Sequence, residues 1–294
     1  MMFVRYTSIG CRPFPSSPLF STLLVSRVRQ LGCRANALAG PKQSIDVAKE
    51  LLSKTSHRPW PLPTKPWTLA MRWHDLLFLH WPVRPELIRP LIPRGLELDT
   101  FDGSAWLGVV PFRMTAVRPR YFPPFAGLAF PEINVRTYVW TPGRSGVWFF
   151  SLDATSWLAV RAARTWYGLP YYDARMNVQL ERETVHYLSR RVDKKSTRAE
   201  FHASYKPTGE VYRSAPGTLD RWLTDRYCLY AVDRGGQLRC GDIHHLPWPL
   251  EPAEVELRVN TMTNPLGIRL PDTAPLAHFA RYLEVIAWRA TPLV

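Results

Sequence analysis

From Trp67 onward the chain is a succession of short segments, apolar or alternating, punctuated by Gly, Pro, Asn and Asp, and that pattern admits few folds. "LELDTFDGSAWLGVVPF" reads as two strands turning at Asp102-Gly103, and "EINVRTYVWT" and "GVWFFSLD" as a pair joined across Pro142–Gly146. "ARMNVQLE", "TVHYLSRRV" and "TRAEFHASY" follow, then a hairpin in "YCLYAVDRGGQLRCGDIHH", then strands in "AEVELRV" and "RYLEVIAWRA". Helical patterns are few: "VRPELIRPLI" with Pro85 near its first turn, "SWLAVRAARTWYG" from Ser156 to a stop at Gly168, and "TLDRWLTDR" with Thr218 as cap. Strands that succeed one another through short turns, with no repeated βαβ unit, pair antiparallel with their neighbours. The expectation is one α+β domain, mainly antiparallel β, as a curled or partly closed sheet or barrel with a few packed helices.

That domain spans 67–294, preceded by a short amphipathic helix and proline-rich linker over 44–66. Residues 1–43 differ in kind. They hold five Arg and one Lys, and no acid appears before Asp46, so they account for much of the formal net charge of +14. This leader reads as an overlong start, a transit peptide or, least well, a secretory signal. The location expected is cytoplasmic, or organellar if the leader is a true transit peptide. The remaining Arg are scattered through strand-like segments rather than clustered, and no recognition motif accompanies them, so nucleic acid is not an expected partner. No run reaches the roughly 18 apolar residues of a membrane span. Cys11, Cys33, Cys228 and Cys240 form no C-x-x-C pair. The sequence sets no oligomeric state.

Candidate site residues come from one strand and one turn. In "PEINVRTYV" alternation puts Glu132, Asn134, Arg136 and Tyr138 on one face and Ile133, Val135, Thr137 and Val139 on the other. The apolar face belongs in a core; the polar face is either solvated or lines a polar cavity. Glu132 and Arg136 stand about 13 Å apart along a strand, suited to opposite ends of one ligand. Asp153 reads as a cap or turn residue, with a site-facing role as the alternative. Arg164, on the helix before the Gly-Leu-Pro turn, is solvated or binds a carboxylate. After that turn Tyr171 and Tyr172 stand side by side. His74 and His80 lie about 20 Å apart on one strand, and adjacent His244 and His245 point to opposite faces, so no metal site is expected. No P-loop, dinucleotide fingerprint or nucleophile elbow is present, and no cofactor is expected.

The blocks "MRWHDLLFLHWPVRPELIRPLIPRGLELDTFDGSAWLGVVPFRM", "FPEINVRTYV", "LTDRYCLY" and "IHHLPWPLEPAE" resemble the YqjF-like proteins, the domain of unknown function 2071 family. "PEINVRTYV…GVWFFSLDATSWLAVRAARTWYGLPYYDARM" is more distantly similar to the acetoacetate decarboxylase superfamily. That resemblance implies a decarboxylase-like fold, with Glu132 at the position of a strand acid. It also implies that Tyr171 and Tyr172 occupy the two lysine positions after the Gly-x-Pro turn. The first of those lysines forms a Schiff base with a β-keto acid in the superfamily. A phenol forms no imine, and roughly 0.1% of an unperturbed Tyr is ionised at pH 7. The lysines beyond residue 65 are Lys194, Lys195 and Lys206. Lys194 and Lys195 sit in the polar turn "VDKKST", so imine chemistry is not expected.

Glu132, Asn134, Arg136, Arg164, Tyr171 and Tyr172 are therefore the expected ligand-binding residues, for a small carbonyl or carboxylate compound. Glu132 is the best catalytic candidate if the chain is an enzyme, by proton transfer without a lysine. An interaction protein with an aromatic surface is the third alternative.

Overall fold

The computed structural model describes residues 48–156, 160–161, 168–194 and 196–293. Thirteen strands follow in chain order: β1 (Leu69–Val83), β2 (Glu97–Leu98), β3 (Ala105–Pro119), β4 (Leu128–Thr141), β5 (Arg144–Ala154), β6 (Tyr171–Glu181), β7 (Thr184–Arg191), β8 (Glu200–Pro207), β9 (Cys228–Val232), β10 (Leu238–His244), β11 (Glu251–Asn260), β12 (Leu276–Ala287) and β13 (Thr291–Pro292). Helical pieces between them are short. Pro85–Ile88 passes into a 3-10 turn over Arg89–Leu91, because Pro90 has no N–H to continue the ladder, and Leu219–Thr224 makes a turn and a half.

Hydrogen bonding orders the strands β13-β10-β9-β5-β6-β7-β8-β11-β12-β1-β3-β4-β2, and β4 also pairs with β5 and β10 with β12. The sheet therefore partly closes on itself. Strands β5, β4, β3, β1 and β12 form a common wall. Two routes join its ends, one through β6, β7, β8 and β11, the other through β9 and β10. Pairing is mostly antiparallel, as expected. The exceptions are β5 with β6 and β5 with β9, both parallel. A parallel neighbour needs a crossover rather than a hairpin, and the chain between Ala154 and Tyr171 makes one.

Of the helix expected over 156–168, Ser156, Val160, Arg161 and Gly168 are described; Val160 and Arg161 are helical, and the Val160 N–H bonds the Ser156 carbonyl at 2.9 Å. Gly168 has φ +66°, in the left-handed region that favours glycine. A Cβ there would lie 2.7 Å from the Val232 carbonyl oxygen, so both conformation and space call for glycine. The next strand begins at Tyr171, three residues before the Ala174 start that the sequence suggests. That shift takes the two tyrosines out of a turn and into a pleated strand.

The odd-numbered face of β4 is core: Ile133 and Val135 pack with Val185, Tyr187, Phe201 and Tyr205 of β7 and β8. On the opposite face Phe78, Val110, Phe112, Phe130, Ala154 and Trp248 form a second apolar cluster, with Tyr171 against it. No helix among the described residues is long and apolar enough to cross a membrane.

Candidate functional site

Strand β4 keeps its alternation throughout, because the bulge between β4 and β5 places its extra residue on β5. Glu132, Asn134, Arg136 and Tyr138 therefore do share a face. They are not a solvated stripe: Glu132 is 2% exposed and Asn134 4%. Register brings Phe112 and Ala154 alongside Glu132 on either side, and β6 adjoins β5 there. From β6 the Tyr171 hydroxyl donates to Glu132 Oε2 at 2.7 Å. The turn that sets this hydroxyl is itself tied down, since the Leu152 N–H bonds the Pro170 carbonyl at 3.0 Å.

Burial dominates the charge state of Glu132. Loss of water around the carboxyl pushes its pKa up to about 8, against hydrogen bonds from Tyr171 and Asn134 that favour the anion, while the nearby Asp153 charge adds to the rise. At neutral pH Glu132 is a neutral acid.

Four residues along the same face of β4, His80, Gly108 and Arg136 stand in register on β1, β3 and β4. A Cβ at Gly108 would come 3.1 Å from His80 Nε2 and 3.2 Å from Arg136 Cγ. The glycine is what lets an imidazole and a guanidinium stem meet across a strand. The Tyr138 hydroxyl donates to the Leu223 carbonyl at 2.8 Å and so accepts from His80 Nε2 at 2.6 Å. That bond assigns the tautomer: His80 carries its proton on Nε2 and leaves Nδ1 as an acceptor. Burial, with Arg136 and His278 near, holds its pKa well below the usual histidine value. The Arg136 guanidinium lies over the Phe78 ring at 5.1 Å. His278 on β12 faces Asp220 at 3.2 Å, and Tyr212 donates to the same carboxylate at 2.8 Å.

This face holds several buried polar atoms with no protein partner: Asn134 Oδ1, Arg136 Nε, His80 Nδ1 and His278 Nδ1. Buried polar groups are nearly always hydrogen-bonded, which sets these atoms apart from the rest of the sheet face. Together they present an acid with a phenol at one end and a guanidinium with a neutral imidazole at the other. Among the described residues no group of three or more His, Cys, Asp or Glu could hold a metal ion.

Tyr172 goes elsewhere. Alternation sends it to the side of the sheet opposite Tyr171, in register with Asp153. Asp153 is not a cap but a fully buried strand residue, bonded through both oxygens to Arg191 at 2.7 and 2.8 Å. Burial raises its pKa even so, with Arg191 pulling the other way. The Arg191 guanidinium also covers the Tyr172 ring at 4.2 Å. Thus the structure brings Glu132, Asn134 and Tyr171 together, keeps Arg136 on their face, and separates Tyr172. Arg164 lies outside the described residues. Sequence reasoning gave His278 and Arg191 no role and weighed His80 only against a metal site; the usable signal was the glycine at 108, opposite both His80 and Arg136.

Solved structures of similar fold include several enzymes. Acetoacetate decarboxylase from Legionella pneumophila matches with a TM-score of 0.51 at 16% identity, over 89% of this chain and 98% of its own. An acetoacetate decarboxylase-like enzyme from Sphingomonas wittichii RW1 matches at 0.51 and 15% identity, over 78% and 94%. The enduracididine biosynthesis enzyme MppR, complexed with the condensation product of pyruvate and imidazole 4-carboxaldehyde, matches at 0.54 and 12%, over 78% and 90%. The protein thus has an acetoacetate decarboxylase-like fold. Within that class, residues 70–284 match the DUF2071 family, described as an uncharacterized conserved protein, and the chain belongs to that family. The uncharacterized protein YqjF of Bacillus subtilis (strain 168) is 45% identical over 228 residues, which cover 77% of this chain and 93% of that protein.

Proposed function

We propose that the chain binds a small carbonyl- or carboxylate-bearing compound against the Glu132–Tyr171 pair, and that it does so without forming an imine. One observation carries this reading: the Tyr171 hydroxyl lies 2.7 Å from a Glu132 carboxyl that is 2% exposed. A neutral acid and a phenol are hydrogen-bond donors suited to a carbonyl oxygen. Arg136, farther along the same face, is suited to a carboxylate. Support for an oxo acid as ligand class comes from MppR, whose structures include a complex with pyruvate. Tyr171 follows the Gly-Leu-Pro turn, and the described lysines beyond residue 65, Lys194 and Lys206, are exposed. Neither offers the desolvated amine that a Schiff base at neutral pH needs.

The test is metabolite capture by the full chain with mass spectrometry, beside Glu132→Gln and Tyr171→Phe, and borohydride treatment in the presence of pyruvate. An oxo or carboxylate compound retained by the parent and lost from Glu132→Gln, with no covalent adduct, is the expected result. Equal retention by all three proteins, or a borohydride-fixed lysine adduct, would sink the reading.

A second reading, a lysine-independent enzyme, is favoured by the Glu132 pKa of about 8. A group poised near the working pH is suited to general acid and base chemistry, with Tyr171 steadying an enolate-like oxygen. Full turnover by Glu132→Gln on the captured compound would exclude it. An interaction role has one support, the turn between β3 and β4, where Tyr121 is 88% and Phe125 82% exposed.

A further inference from the structure

The second tyrosine borders a cavity of its own. Beyond the bulge in β5, Ser151 and Asp153 face the side of the sheet away from Glu132. There a pocket of about 240 Å³ is lined by Phe150, Ser151, Tyr172, Arg191, Met262 and Leu266, among others. We propose that this pocket is a second small-molecule site, separate from the Glu132 face, that takes a compact uncharged ligand with an apolar body and one hydroxyl, a simple phenol or alcohol.

Three features set that chemistry. First, charge. The Arg191 guanidinium donates to both oxygens of Asp153 and, at 3.0 Å, to Ser196 Oγ, and the Arg191–Asp153 pair is 1% and 0% exposed at its side chains. The ion pair presents no net charge among the described residues. An anion entering beside it would meet the Asp153 carboxylate and shed its water next to a guanidinium whose charge Asp153 already balances. A cation would meet Arg191 on the same terms.

Second, the polar contact. Ser151 Oγ is buried and has no protein partner. A hydroxyl can both donate to it and accept from it, which satisfies a group that would otherwise carry a desolvation cost. Third, shape. Phe150, Met262, Pro265 and Leu266 supply the apolar part of a lining whose remainder, from Ser151, Tyr172, Arg191, Ser196 and Thr197, is polar. The volume is below that of a drug-sized pocket and suits a ligand of about one ring.

The site is tested with phenol and benzoate as probes, by ligand-observed NMR titration of the full chain. Phenol is expected to bind saturably, and benzoate at least tenfold more weakly. Ser151→Ala should weaken phenol roughly fivefold, the loss of one neutral hydrogen bond. Leu266→Trp should fill the pocket and abolish binding, while Glu132→Gln should leave phenol affinity as it was and so separate this site from the other. Failure of phenol to bind, benzoate binding as well as phenol, or phenol binding that survives Leu266→Trp would each overturn the proposal. If Leu266→Trp does not fold, the conservative Ser151→Ala decides: unchanged phenol affinity overturns it.

Discussion

Replacing Glu132 by Gln tests the electrostatics of the site through folding stability, with no ligand needed. The carboxyl has a pKa near 4.5 when hydrated and about 8 in the folded chain, raised chiefly by burial. Below pH 4.5 it is protonated in both states and contributes nothing that varies with pH. Between about pH 4.5 and 8 the unfolded chain releases the proton while the folded chain holds it. Stability therefore falls as pH rises, by about 1.4 kcal/mol for each pH unit. Over the full window the loss approaches 5 kcal/mol, the scale set by the raised pKa. Glutamine is close in shape, still accepts from Tyr171 through its amide oxygen, and does not titrate. The other ionisable groups are common to both proteins and cancel in the difference. Urea denaturation of parent and Glu132→Gln at pH 5, 6, 7 and 8 should give curves that lie closest at pH 5 and separate progressively in favour of the variant. A stability difference that stays constant from pH 5 to 8 would refute the reasoning, because Glu132 would then ionise alike in the folded and unfolded chains.

Tyr171→Phe removes a hydrogen bond that favours the ionised Glu132, so the carboxyl midpoint should rise by about one pH unit, read from its infrared carbonyl band; an unchanged or lower midpoint would count against the contact. Gly108→Ala places a methyl 3.1 Å from His80 and 3.2 Å from Arg136, and should cost about 1–3 kcal/mol by overpacking, measured by thermal or urea unfolding. Arg191→Met leaves Asp153 buried and uncompensated and should cost about 3–5 kcal/mol, whereas the double change Asp153→Leu, Arg191→Met should recover most of that loss. Equal damage from the single and double variants would show that Arg191 acts through packing rather than charge.

Much of the strand framework is legible in the amino-acid order alone. Alternation in "PEINVRTYV" groups Glu132 with Asn134 and Arg136, because the side-chain period of a strand is two wherever no bulge intervenes. It does not say that the polar face is buried. That depends on the cluster containing Phe78 and Trp248, residues distant in sequence from β4. The tyrosine pair is half legible. Adjacent residues on a strand part to opposite faces, but this applies only once β6 is known to start at Tyr171, and its parallel pairing with β5 carries no local signal. Asp153 shows the limit most plainly: a cap by its neighbours in sequence, it is the partner of an arginine 38 residues away.

By itself, then, the sequence determined the strands and their faces, the need for glycine at position 168, and the phenols after the Gly-Leu-Pro turn. These follow from steric rules acting over a few residues. Closure of the sheet, the split of Tyr171 from Tyr172, and the proton on Glu132 were decided only by tertiary structure. Each depends on which remote segments exclude water from a given face, and water, more than covalent neighbours, sets the cost of a buried charge.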